Sequence, residues 1–136
     1  MKYKSKQEIE SAVGEAMIKF LKEQMGEQAA GVITEVAADA IIVRFKAIMP
    51  PAERYLVKNQ EGMKLIKELK EKLIERAKPL LEAMIKNLID AKVVDIYSSF
   101  NPANNEHIEI FTLSKSFDDS WKFSKEKKER KKWKKT

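Results

Sequence analysis

The feature that most constrains the fold is a hydrophobic periodicity that changes from helical to strand spacing twice along the chain. Apolar residues first recur every three or four positions, as on one face of a helix, and then alternate over two neighbouring runs, as in strands. A helical stretch and two strand-like runs then follow a second time. The pattern predicts the order α-β-β-α-α-β-β and an α+β two-layer sandwich. In this fold, helices cover one face of a four-stranded, mainly antiparallel sheet made of two hairpins.

Local signals mark the helix ends. Ser5 and Glu8 have the spacing of a capping box and Gly26 is a suitable stop, so the first helix is predicted at about 6–25. Pro51 suits the first turn of a short second helix. Pro79 interrupts the longest helix and predicts either a kink or two helices that meet there. The apolar stripe of this helix is predicted to contain Met63, Ile66, Leu69, Leu73, Ala77, Leu80, Leu81, Met84 and Leu88.

Alternation along the strand-like runs predicts which side chains face the helices. The core-facing set of the first hairpin includes Ile41, Val43, Phe45 and Ala47; that of the second includes Val94, Ile96, Ser98, Ile108 and Ile110. The opposite face is then wet, and it mixes charged and aromatic side chains. Such a face holds a protein partner or the second copy of a homodimer, or it is an ordinary solvated face. The predicted partner-binding residues are Arg44, Lys46, Tyr97, Glu109 and Phe111.

The residue types exclude several kinds of site. A chain of 136 residues without cysteine has no disulfide, thiolate zinc site or cysteine nucleophile. His107 is the only histidine, and we expect an exposed strand residue rather than a general base. Asp118 and Asp119 are adjacent, but no second acidic cluster at metal-ligand spacing accompanies them. No glycine-rich phosphate loop is present. We therefore predict a protein that is not an enzyme, with no catalytic residue, cofactor or metal.

Positive charge is concentrated at the C-terminus. Residues 122–136 contain nine Lys/Arg and two Glu, whereas the whole chain has a net charge of +6, so the preceding residues are almost neutral. This division predicts one domain over 1–120 and a basic tail over 121–136. Lysines interleaved with tryptophan suit nucleic acid, an anionic membrane surface, or a tail that only solubilises the domain. The tail residues concerned are Trp121, Lys122, Lys125, Lys127, Lys128, Arg130, Lys131, Lys132, Trp133, Lys134 and Lys135.

The sequence also bears on location. It has no apolar run of the kind that forms a signal peptide or spans a membrane, so we expect a cytoplasmic protein that associates with membranes at most peripherally. The 35% of charged residues, mostly Lys and Glu, is a pattern of heat-adapted proteins that a solvated helix surface produces equally well.

Three segments resemble the MpsC-like family of small bacterial proteins. They are a strand that ends in Pro-Ala-Glu at 51–53, a helix segment with Pro79, and the strand Lys92–Ser99 with its partner Ile108–Leu113. The resemblance covers about residues 5–113. It implies association with a cation-translocating, membrane-potential-generating system whose membrane subunits are other proteins, and it carries no catalytic residue over to this chain. We therefore expect a non-enzymatic accessory or regulatory domain that binds a protein partner. A nucleic-acid-binding protein that uses its tail is the alternative, and a small enzyme is a third hypothesis.

Overall fold

The computed structural model describes residues 5–117. Its elements, in chain order, are α1 (Lys6–Met25), β1 (Ala29–Ala37), β2 (Ala40–Ala47), α2 (Pro51–Leu56), α3 (Gln60–Ile89), β3 (Val93–Asn101) and β4 (Glu106–Leu113). The predicted fold class and element order are confirmed. The predicted domain end at residue 120, the aspartates at 118 and 119, and the basic tail over 121–136 lie outside the described residues.

The four strands form one sheet in the order β1-β2-β4-β3, and every neighbouring pair is antiparallel. The two hairpins therefore join along β2 and β4, which occupy the centre, while β1 and β3 form the edges. Helix α1 packs on β1 and α3 packs on β3, so one face of the sheet is covered by the two long helices.

The ends of α1 follow from its sequence. The hydroxyl of Ser5 accepts a hydrogen bond from the backbone N–H of Glu8 at 3.1 Å, which satisfies a free amide of the first turn. Gly26 ends the helix with φ 65°, a conformation that glycine adopts without steric penalty. The turn at Gly26 leads directly to Glu27, which is buried.

The junction of α2 and α3 is tightly packed. The side chain of Asn59 accepts a hydrogen bond from the N–H of Gly62 at 2.8 Å and caps α3. A Cβ atom at Gly62 would lie 1.5 Å from the carbonyl oxygen of Leu56, so only glycine fits there. Pro79 lies inside α3, and the helix continues through it as a single element.

The faces of the second hairpin differ from the prediction. The helix-facing residues of β4 are His107, Glu109, Phe111 and Leu113, so the assignment of Ile108 and Ile110 to the core is wrong. The reason is the pairing with β2, because Phe45 lies opposite His107 and brings that side of β4 under the helices.

On β3, Ile96 faces the helices as predicted, and Ser98 lies on the same side, since its hydroxyl binds Glu109. Val94 is exposed, contrary to the prediction, because the β3–β4 register shifts between Val93 and Asp95.

Helix α3 buries a different stripe from the predicted one. Ile66, Ala77 and Leu81 are buried as expected, but Leu69, Leu73 and Leu80 are exposed. Two adjacent stripes of this helix are apolar, so periodicity alone does not select between them. The stripe that faces the sheet contains Gly62, Ile66, Lys70, Ile74, Ala77, Leu81, Ile85 and Ile89.

Candidate functional site

The sheet surface that faces away from α1 and α3 is the candidate protein-binding surface, and we call it the open face. Its side chains alternate with those of the core on all four strands. The open face consists of Ile33, Glu35, Ile42, Arg44, Lys46, Asp95, Tyr97, Ser99, Glu106, Ile108, Ile110 and Thr112.

The centre of the open face is apolar. Ile42 and Ile110 are register partners across β2 and β4, and Ile108 lies next to them on β4; all three are half-buried. The edge strands add Ile33, which is 59% exposed, and Tyr97, which is 56% exposed. An aromatic and isoleucine patch of this kind is typical of the core of a protein–protein interface.

Charged side chains lie at one end of the open face. The guanidinium of Arg44 contacts the carboxylate of Glu106 at 3.2 Å, and Lys46 is the register partner of Glu106. A hollow of about 290 Å³ lies at this end, where Gly31 presents no side chain opposite Lys46. The hollow is lined by Ala30, Gly31, Val32, Ile33, Arg44, Phe45, Lys46 and Glu106.

Three of the predicted partner-binding residues, Arg44, Lys46 and Tyr97, lie on the open face as predicted. The placement of Glu109 and Phe111 on this face is wrong, because both side chains are 0% exposed beneath the helices. The same register that turns Ile108 and Ile110 outward turns these two inward.

A second exposed apolar surface lies on α3. Its leucines are spaced mostly three to four residues apart, so they form a stripe along one side of the helix. The stripe consists of Leu65, Leu69, Leu73 and Leu80.

A buried charged cluster, which was not predicted from the sequence, lies between the helices and the sheet. The ammonium of Lys70 in α3 binds the carboxylate of Glu27, and their side chains are only 5% and 3% exposed. Glu53 of α2 lies 3.3 Å from the same ammonium. A signal for the cluster was present in the sequence, since Lys70 stands four residues from both Ile66 and Ile74 and so continues a buried helix stripe.

His107 is buried beside this cluster, so the prediction that it is exposed is wrong. Its ring is stacked on Phe45 with centroids 4.6 Å apart and is tilted against Phe100 at 4.4 Å. Its Nε2 lies 3.8 Å from a carboxylate oxygen of Glu27. Burial, aided by the positive charge of Lys70, lowers the pKa of His107 to about 4, so the imidazole is neutral at pH 7.

Glu109 lies two residues further along β4 on the same face. Burial raises its pKa to about 7, although a hydrogen bond from the Ser98 hydroxyl and the charge of Lys78 act in the opposite direction. The side chain therefore exchanges its proton near neutral pH while it lies under α3.

Asn105 fastens the loop before β4 to the end of β2. Its side-chain N–H₂ donates to the backbone carbonyl of Ala47 at 2.7 Å, and its backbone carbonyl accepts from the N–H of Ala47 at 3.2 Å. Asn105 has φ 52°, a left-handed conformation that asparagine tolerates better than most residues.

The chemistry that these residues offer is limited. Within residues 5–117, no group of three or more His, Asp or Glu side chains is placed to hold a metal ion. The hollow on the open face is not lined by His107 or Glu109, the two groups with shifted pKa values. Among the helices of the described range, none has both the length and the apolarity to span a bilayer.

The fold defines a small α+β domain whose four-stranded sheet carries helices on one face and leaves the other face open. The chain belongs to the MpsC family: residues 5–115 match the family described as "Na+-translocating membrane potential-generating system (MpsC)". It is 30% identical over 110 residues to a protein of Bacillus subtilis (strain 168) described as "Uncharacterized protein YbcI". This match covers 81% of the present chain and 89% of that protein. No solved structure matches the chain.

Proposed function

We propose that this chain is a non-enzymatic accessory domain of a membrane-potential-generating system and that it binds a protein partner through the open face. The observation that supports this function most directly is the apolar centre of that face, where three isoleucines lie between the exposed Ile33 and Tyr97. The description of the family supplies the link to the membrane system.

The composition of the open face favours a protein as the ligand. Tyrosine and arginine are enriched where proteins meet, the buried centre of an interface is apolar, and polar residues form its rim. Here Arg44, Lys46 and Glu106 lie at one end of the face, and Glu35 and Asp95 lie on the edge strands. Contiguous exposed apolar surface with a polar rim marks an interaction site more often than a solvated face.

The positions of the titratable groups support a non-enzymatic role. The imidazole of His107 lies between two phenylalanine rings, and Glu109 has no exposed surface. A general acid or base must reach a substrate proton within hydrogen-bonding distance, directly or through one water. Both groups instead lie in the interior, under the helices.

Site-specific photo-crosslinking in the native cells tests this function. A photoreactive phenylalanine analogue replaces Tyr97 on the open face or, as the matched control, the exposed Tyr55 on α2. We expect a specific protein adduct from position 97 only, lost when Ile110→Asp is added. Mass spectrometry should identify the protein in the adduct, either a second copy of this chain or a subunit of the membrane system. Adducts from position 55 alone, or from neither position, would contradict the proposal.

A further inference from the structure

The geometry points to a second copy of this chain as the occupant of the open face, an inference that rests on the proposed protein-binding role of that face. The two copies would form a four-layer dimer, with helices outside and the two sheets packed face to face.

The strand order places the midline of the open face between β2 and β4. A twofold axis that lies between the two sheets, parallel to the strands and above this midline, lays β2 of one copy over β4 of the other. Each residue of β2 or β4 then faces the residue that is its register partner in its own sheet, while β1 lies over β3. Because packed sheets cross at about 30°, the correspondence is closest near the midline, on β2 and β4.

This rotation opposes apolar side chains at the centre. Ile42 and Ile110 are register partners, so Ile42 of each copy faces Ile110 of the other. Arg44 and Ile108 are also partners, so the aliphatic stem of the arginine covers that isoleucine. The apolar centre of the open face is thereby buried in both copies.

The same rotation opposes unlike charges at the end of the face. Lys46 and Glu106 are register partners, so Lys46 of each copy faces Glu106 of the other, which gives two equivalent ion pairs. Within residues 5–117 of a single chain, the ion partner of Glu106 is Arg44, and Lys46 takes part in no ion pair. The carboxylate thus gains a second cation and the lysine gains a partner.

The alternative twofold axis, perpendicular to the strands in the same plane, lacks this complementarity. This axis lays β2 of one copy over β2 of the other in the opposite direction. Lys46 then faces Ala40, and Arg44 faces Ile42. Charge complementarity therefore selects the axis parallel to the strands.

The area of the open face sets the expected affinity. Strands of eight residues at about 3.3 Å per residue, with four of them about 4.8 Å apart, give about 500 Å² per copy. Two copies bury about 1,000 Å², which is near the lower bound for a specific interface. The dimer is therefore expected to be reversible and dependent on concentration.

Sedimentation equilibrium over a concentration series tests the inference with two charge reversals on the full chain, Lys46→Glu and Glu106→Lys. Either variant alone opposes like charges at both symmetric contacts and should raise the dimer dissociation constant at least about tenfold. An equimolar mixture of the two restores both ion pairs in the mixed dimer and should associate about as tightly as the unaltered chain. Lys64→Glu on α3 is the control and should leave the dissociation constant unchanged.

A chain that stays monomeric, single reversals without effect, or a mixture that associates no better than the separate variants would overturn the inference. The photo-crosslinking experiment separates this failure from that of the proposed function. A monomeric chain that still yields an adduct with another protein from position 97 retains the protein-binding role, while a chain with neither property loses both.

Discussion

Lys70 of α3 binds the carboxylate of Glu27, and both side chains are almost completely buried. Because Glu27 directly follows α1 and Glu53 belongs to α2, one ammonium group connects three helical segments above the sheet. A buried charge that loses its partner is strongly destabilising, since neither water nor a counter-charge then compensates it. The cluster therefore makes the packing of the helices depend on a few polar contacts.

Replacing the buried lysine should destabilise the domain strongly. Lys70→Met leaves two carboxylates near one another without a cation, and we expect the free energy of unfolding to fall by about 3–5 kcal/mol in urea denaturation. Adding Glu27→Gln removes one uncompensated charge and should recover part of the loss. Lys72→Met, at an exposed position of the same helix, should change the free energy by less than about 0.5 kcal/mol. If Lys70→Met lowered the free energy of unfolding no more than Lys72→Met does, the cluster would contribute little to stability.

His107 and Glu109 should give opposite pH dependences of stability. The pKa of His107 falls from 6.5 to about 4 on folding, so its contribution is complete above pH 6.5 and is lost as the pH falls towards 4. The pKa of Glu109 rises from 4.5 to about 7 on folding, so its contribution is complete below pH 4.5 and is lost as the pH rises towards 7. Between pH 4.5 and 6.5 the two effects cancel, each at about 1.4 kcal/mol per pH unit.

Single substitutions should reveal how His107 and Glu109 each change the slope of stability against pH. In urea denaturation at several pH values, His107→Gln should make stability fall more steeply with rising pH than in the unaltered chain. Glu109→Gln should make it rise more steeply over the same range. The difference in slope is the measurement, because loss of packing shifts stability at all pH values alike. Variants that keep the slope of the unaltered chain would contradict these pKa directions.

Gly62→Ala should separate α2 from α3. Alanine normally favours a helix over glycine by about 1 kcal/mol, but here its Cβ atom would lie 1.5 Å from the carbonyl oxygen of Leu56. We expect thermal denaturation to show a loss of about 2 kcal/mol or more. Gly31→Ala is the control, since no atom lies within 4 Å of its Cβ position. A stable Gly62→Ala variant would mean that α2 is free to move.

Deleting residues 121–136 tests the predicted role of the tail in binding nucleic acid. If lysines of the tail neutralise phosphates, the affinity of the full chain for single-stranded DNA should fall steeply with salt, with a log–log slope of several units. The shortened chain should lose this binding while circular dichroism shows that the domain stays folded. Trp121→Ala with Trp133→Ala should weaken binding but keep the salt dependence, because stacking and charge act separately. Undiminished binding by the shortened chain would assign it to the domain.

The boundaries of α1 and the place of Pro51 at the start of α2 were predictable, because both depend on contacts within a few residues. Ser5 caps the turn that follows it, and Gly26 adopts a left-handed backbone conformation that costs glycine less than residues with a Cβ atom. The family resemblance was also available from the sequence, and the match over residues 5–115 confirms it.

The sequence by itself therefore determined the order of the elements, the bounds of α1 and the start of α2, since periodicity, caps and prolines act locally. Tertiary structure decided which side of β4 and which stripe of α3 face the core, because both elements carry two apolar sides of similar strength. The pairing of Phe45 with His107 decides which side of β4 faces the core. The stripe of α3 that faces the core includes Lys70, and the carboxylates of Glu27 and Glu53 compensate its buried charge. As a result, the open face contains Arg44, Lys46 and Tyr97 as predicted, but Ile108 and Ile110 lie on it in place of Glu109 and Phe111. That exchange gives the face its apolar centre.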